Sequence, residues 1–176
     1  MDTRQVLGEI LTATEAYDVE IIPWKFDEAR MTPRQRQLYG YWSSKSDANK
    51  RLSVREFDPL EIRLSVGYLH LVQYDAERND FFYRIYGEMA ARSAKAAMHR
   101  KWVGNHPGRA GAKFLAHYME LMNKREPWLG EVHTRDSVNV APYWRRMVLP
   151  LEVKGLPDGF ACATLAEPKN TADERG

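Results

Sequence analysis

Cysteine is nearly absent: Cys162 stands alone among 176 residues. An internal disulfide is therefore excluded, and so is a zinc site built from several thiolates of one chain. A reducing cytoplasm is the simplest setting for such a composition. No apolar run approaches the ~18–20 residues that a membrane-spanning helix needs, and the first residues lack the apolar core of a signal peptide. The expectation is a cytoplasmic protein without a membrane partner. Gly-x-Gly-x-x-Gly and P-loop patterns are missing, which leaves nucleotide hydrolysis without a basis. So are the helix-turn-helix, zinc-finger and RNP-type signatures, so nucleic acid is not an expected partner.

Acidic side chains are missing from one long interval. Between Glu88 and Glu120 there is no Asp or Glu, while Arg92, Lys95, Arg100, Lys101, Arg109 and Lys113 fall there together with His99, His106 and His117. The overall charge is only +2, so the rest of the chain is net acidic. A local positive field attracts anions, including a carboxylated or phosphorylated ligand. The simpler reading is a solvated basic face.

What is present is enough to build a core. The chain is 44% hydrophobic and 28% charged, which suits one folded domain with appendages. Residues 1–30 read as a helical appendage, with Val6, Leu7, Ile10 and Leu11 at helical spacing, Tyr17 extending the stripe, and Pro23 stopping any helix. A second helix starts at Thr32, with Thr32 as cap, Pro33 in the first turn and Gln35 completing a capping box. It carries Leu38, Tyr39 and the Tyr41-Trp42 pair. Asp58-Pro59 with Glu61 signals a short capped helix. Leu64 to Tyr74 and Phe81 to Tyr86 then read as a hairpin around a polar turn at 75–80, with Gly87 ending the second strand.

After an alanine-rich helix over 88–98 and a glycine-containing loop over 102–111, residues 110–124 form the clearest helix. Phe114, Leu115, Tyr118, Leu121 and Met122 share its apolar face, with His117 at the edge. Three strands follow, over 128–138, 143–154 and 159–166, and residues 168–176 form a polar tail. Pro150 inside the middle one requires a free edge or a bulge, because it has no N–H to donate. The order β-β, helices, β-β-β gives an α+β fold: one five-stranded antiparallel sheet with helices on one face. Tyr68, His70 and Val72 alternate with Leu69 and Leu71, so both faces of the first strand are apolar and something must cover the second face. The N-terminal helix and a second subunit are the two candidates.

An ordered set of short motifs runs through residues 34–166: Tyr41-Trp42, then Arg51-Leu52-Ser53-Val54-Arg55 leading to Asp58-Pro59, then Phe81-Phe82-Tyr83-Arg84-Ile85-Tyr86-Gly87, then Leu149-Pro150-Leu151. This set resembles the short stand-alone PAS proteins of alphaproteobacteria. The chain departs from that group at Ala90–Lys101, alanine-rich and basic where relatives are glycine-rich, and at Leu64-Ser65-Val66, where relatives carry Leu-Leu-Pro. The resemblance implies a PAS-like five-stranded sheet, helices between the second and third strands closing over it, and a small pocket beneath them.

The chemistry is that of binding rather than catalysis. Cys162 sits between alanines in a strand, as a buried hydrophobe does. It is not in the Asn-Cys-Arg helix-region motif of light-sensing PAS proteins. Glu131, Asp136 and Glu152 alternate with apolar residues, so surface placement suits them better than acid–base work. No metal site is expected, and no enzyme activity. The ligand-binding candidates are Tyr83, Trp102, His117 and Trp128 as pocket lining, with Arg84 or Lys101 as an anion contact. No cofactor is specified; haem through His117 is an alternative, weighed against a histidine satisfied by a carbonyl or water. The expectation is a non-enzymatic sensor that binds an unidentified small molecule, anionic or not, and signals through a protein partner, as a homodimer. The alternatives are a ligand-free interaction adaptor and a small α+β enzyme.

Overall fold

The computed structural model describes residues 17–94, 98–135, 143–156 and 159–169. Val6, Leu7, Ile10 and Leu11, most of the polar tail, and the turn at 139–142 lie outside them. Six strands form one antiparallel sheet: β1 (Asp18–Pro23), β2 (Leu69–Asp75), β3 (Asp80–Ile85), β4 (Trp128–Arg135), β5 (Tyr143–Glu152) and β6 (Phe160–Lys169), in the order β1-β4-β5-β6-β2-β3. The helices are α1 (Pro33–Lys45), α2 (Glu88–Ala94) and α3 (Ala110–Lys124). The fold is α+β. Among the described residues no helix is long and apolar enough to cross a membrane.

Three expectations are corrected. The sheet has six strands, not five, because Asp18–Pro23 pairs with β4 instead of continuing a helix. Val19 and Ile21 alternate there with Glu20, a strand period that the helical stripe before it obscures. The helices lie on both faces, not one. Leu38 and Trp42 of α1 pack with Leu129, Met147, Leu149 and Leu165 on one side, the α1 face. Tyr118 and Leu121 of α3 pack with Val72, Phe81, Val148 and Cys162 on the other, the roof face. The cover that the double-sided strand demands is therefore α1 of the same chain. The hairpin also starts later than Leu64: 3-10 turns occupy Pro59–Ile62 and Val66–Tyr68 before β2.

Polar anchors fix α1. Thr32 accepts from the Gln35 N–H at 3.2 Å, and the Gln35 side chain accepts from the Thr32 N–H at 3.0 Å, the expected capping box. The Thr32 hydroxyl also bonds to Glu167, which is 3% exposed and takes a second bond from Arg34 at 3.1 Å. At the other end the Trp42 indole donates to the Pro150 carbonyl at 2.9 Å. This bond explains Pro150. β4 ends its pairing at Trp128 opposite Val148, so β5 has a free edge beyond that point. A strand residue points its N and O the same way; Pro150 turns both to this free edge, where no ladder bond is lost. One step on, Glu152 exchanges backbone bonds with Leu52 and Val54, which extend the sheet there.

Gly87 is dictated by close approach. A Cβ at this position would stand 2.5 Å from the Gly67 carbonyl oxygen and 2.9 Å from the Leu69 nitrogen.

Replacing Thr32 by Val removes the cap and leaves Glu167 buried with one partner fewer. The expected cost is about 2–4 kcal/mol. Replacing Arg34, which is 41% exposed in the Glu167 pair, by Ala costs about 1 kcal/mol or less. Urea unfolding of both variants checks the order; equal losses would contradict the buried anchor.

Candidate ligand-binding site

On the roof face, Met98, the 3-10 turn Val103–Asn105 and α3 cover β2, β3, β5 and β6, and Ala90 of α2 packs beside them with Val19, Ala110, Val132 and Trp144. β3 directs Phe81 and Tyr83 inward, as period-2 alternation requires. The alternation then breaks. Leu71 pairs with Ile85 but Val72 with Tyr83, so Arg84 is the extra residue of a bulge. The bulge changes the phase: Ile85, expected on the Tyr83 side, is 37% exposed. Tyr86, expected on the other side, packs 5.1 Å from the Tyr83 ring and stacks on His70 at 4.0 Å.

The result is a buried polar cluster. Tyr83 Oη and His106 Nε2 share a hydrogen bond of 3.0 Å, and Tyr118 Oη and Thr164 Oγ1 share another of 3.0 Å. His70 Nδ1 accepts from the Gly87 N–H at 3.1 Å, which puts the proton of the neutral ring on Nε2. Arg146, on β5, is 4% exposed and its Nη1 has no hydrogen-bond partner. Its guanidinium lies 4.8 Å from the Tyr118 ring centre and 5.2 Å from that of Phe114.

Burial sets the protonation states, and the charge of Arg146 adds to it. His70 is driven down to about 3 and His106 to about 4, first by desolvation and then by Arg146. His117 is lowered to about 3 by the same causes. Burial raises the Tyr83, Tyr86 and Tyr118 hydroxyls. At neutral pH the imidazoles are uncharged and the phenols protonated. The Cys162 thiol is fully buried and pushed up to about 12, so it is no nucleophile. Among the described residues no three metal-ligating side chains converge.

The six ligand-binding candidates fall in three places. Tyr83 belongs to the enclosed cluster. His117 and Trp128 meet edge to face at 4.6 Å in a separate groove of about 430 Å³ between α3 and the β1–β4 end of the sheet. Trp128 can lie there because Gly130 has no side chain; a Cβ on it would stand 2.6 Å from the indole. His117 is 8% exposed, and its Nε2 has no partner. Trp102 packs on Phe82 at 5.0 Å along the outer edge of β3, and with Arg84 lines a shallow groove of about 330 Å³. Arg84 is exposed and donates to Gln73 at 2.7 Å. Lys101 is exposed too; its contribution is a carbonyl that accepts the Tyr83 N–H at 3.0 Å.

The sequence reading missed His70, His106, Tyr118, Thr164 and above all Arg146 as a group. One signal was present. Arg146 shares its strand phase with Trp144 and Val148, in a strand that is apolar on both faces. Comparison of the chain with protein-family models, with curated proteins and with solved structures finds no match.

The lowered histidines predict acid lability. Their folded values lie below the unfolded value of about 6.5, so the unfolded chain binds more protons between them. Stability is complete above pH 6.5 and is lost as pH falls toward 4 and 3. Each of His70 and His117 contributes a slope of up to about 1.4 kcal/mol per pH unit in that window. Urea titrations from pH 7.5 to 4.5 check it, and His117→Gln should flatten the slope by about one proton. A wild-type stability that does not change over this range would contradict the buried neutral rings.

Proposed function

We propose that this protein is a non-enzymatic, PAS-type sensory protein of the cytoplasm, which binds a small ligand beneath the α2–α3 roof and signals through contact with a protein partner. The observation that carries the reading is the enclosed polar cluster itself. A core built only for stability would fill that space with apolar side chains, because buried polar groups are costly unless fully paired. The element order supports the family reading: two strands, helices that close over the sheet, then three strands, as the motif resemblance implies. β1 and the α1 cover are additions to that plan.

The route outward starts at α2. Met89, on its first turn, is 43% exposed and adjoins Gly67, whose added Cβ would stand 2.8 Å from the Met89 side chain. Leu60 and Leu64, in the segment before Gly67, are 72% and 57% exposed. A ligand that moves α2 would thus shift an apolar surface suited to a partner or a second copy. That same surface favours the second reading, an adaptor that docks partners without a ligand.

Native mass spectrometry of the purified protein separates the two readings. The sensor reading expects a non-covalent adduct of a few hundred daltons that is lost on denaturation, or a molecule from a metabolite screen that raises the melting temperature. A homogeneous apo protein that no screened molecule stabilises would overturn it in favour of the adaptor.

A further inference from the structure

The roof cluster encloses a cation and no anion. Arg146 is 4% exposed, Nη1 is unpartnered, and no ion pair among the described residues includes it. The groups that its charge reaches in the cluster are neutral: His70, Tyr83, Tyr118 and Cys162. The two carboxylates of the roof, Glu88 and Glu120, are exposed and pair with Arg92 and Lys124, and residues 89–119 between them contain no Asp or Glu. The faces of Phe114 and Tyr118 compensate part of the charge through cation–π contact. An unpaired buried charge costs more than such contacts return.

We infer that Arg146 is the anion-binding group of this site and that the ligand is a small monocarboxylate with an apolar, planar body. The inference deepens the sensor reading and rests on it. Charge sets the valence. One guanidinium is enclosed with neutral imidazoles and protonated phenols, so a monoanion neutralises the site, whereas a dianion such as a phosphate monoester would bury an excess negative charge. Geometry selects the headgroup. A guanidinium edge matches the two oxygens of a carboxylate better than a spherical ion. The neighbouring side chains select the body: Phe114 and Tyr118 lie against the guanidinium, and Tyr83 and Tyr86 pack on each other beside them, surroundings that suit an apolar ring.

The test uses the full chain and four probes, benzoate, phenylacetate, indole-3-acetate and hexanoate, each beside its primary amide. Calorimetry and thermal shift read the binding. At least one acid should bind about tenfold or more tighter than its amide. Arg146→Gln should weaken that acid by at least about 30-fold and leave the amide unchanged. Arg146→Lys, which keeps the charge and loses the fork, should fall between. Should Arg146→Gln not fold, the ¹⁵N signals of the Arg146 guanidinium in the wild type should move on addition of the acid and not of the amide. Acids and amides that bind equally, or an Arg146→Gln protein that binds acid normally, would overturn the carboxylate assignment and leave the sensor reading intact. Failure of every probe, in a protein that also purifies without an adduct, would overturn both readings. A protein that no acid stabilises, and that Arg146→Gln nonetheless destabilises, would mean that Arg146 is a structural cation held by Phe114 and Tyr118, and the ligand assignment falls.

Discussion

A sheet that is apolar on both faces cannot remain in water until both faces are covered, and the chain is organised around that requirement. β5 and β6 lie at its centre, and nearly every residue from Tyr143 to Leu151 and from Phe160 to Leu165 is buried. The apolar area removed from water provides the driving force, about 25 cal/mol per Å². It does not say where each cover lands. That information is polar. Thr32 with Glu167 and Trp42 with the Pro150 carbonyl position α1. Tyr118 with Thr164, and Lys113 with Asp18 at 2.7 Å, position α3. Each of the three buried bonds contributes about 1 kcal/mol net, yet would cost more if left unmade in the interior. Mispacked alternatives are penalised more than the correct one is rewarded.

Local signals were legible in the sequence where local physics decides. The capping box at Thr32, the bounds of α3, the hairpin turn and the need for an edge at Pro150 all follow from groups within a few residues of each other. The readings that failed depended on distant partners. Asp18–Pro23 is a strand because β4 lies beside it. The helices fall on both faces because α1 crosses back over a sheet formed by residues far downstream. The Arg84 bulge has no glycine or proline to announce it, and it reversed the facing of Ile85 and Tyr86. The candidate site suffered most. Aromatic residues chosen one strand at a time, Tyr83, Trp102 and Trp128, proved to lie at three separate places. The residues that do converge come from four strands and the roof. Alternation alone could have placed Arg146 on an apolar face, but not beneath a helix.

The acid-free interval acquires a different meaning from the structure. As a sequence feature it suggested a basic outer face, and several of its charges are ordinary surface groups: Arg92 pairs with Glu88 one turn away, and Lys113 with Asp18. The absence of acid matters more than the presence of base. The roof carries carboxylates only at its ends, Glu88 and Glu120, both exposed and paired with Arg92 and Lys124, and a carboxylate within reach of Arg146 would pair with it from inside. The groups that the roof turns toward Arg146, Phe114 and Tyr118, carry no charge, and among the described residues no ion pair includes the buried guanidinium. The same guanidinium then helps hold His70, His106 and His117 neutral, so the enclosed charge stays at one.

Coupling to the outside follows from the same arrangement. Under the proposed function, a ligand that neutralised Arg146 would relieve a buried unpaired charge beneath the roof, so the closed roof would gain stability when the site is filled. The roof is joined to the surface at one tight point, where Met89 and Gly87 both press on Gly67. Packed backbone contacts of this kind do not yield gradually, so under the proposed function a displacement of α2 would reach the 66–68 turn and the exposed leucines ahead of it.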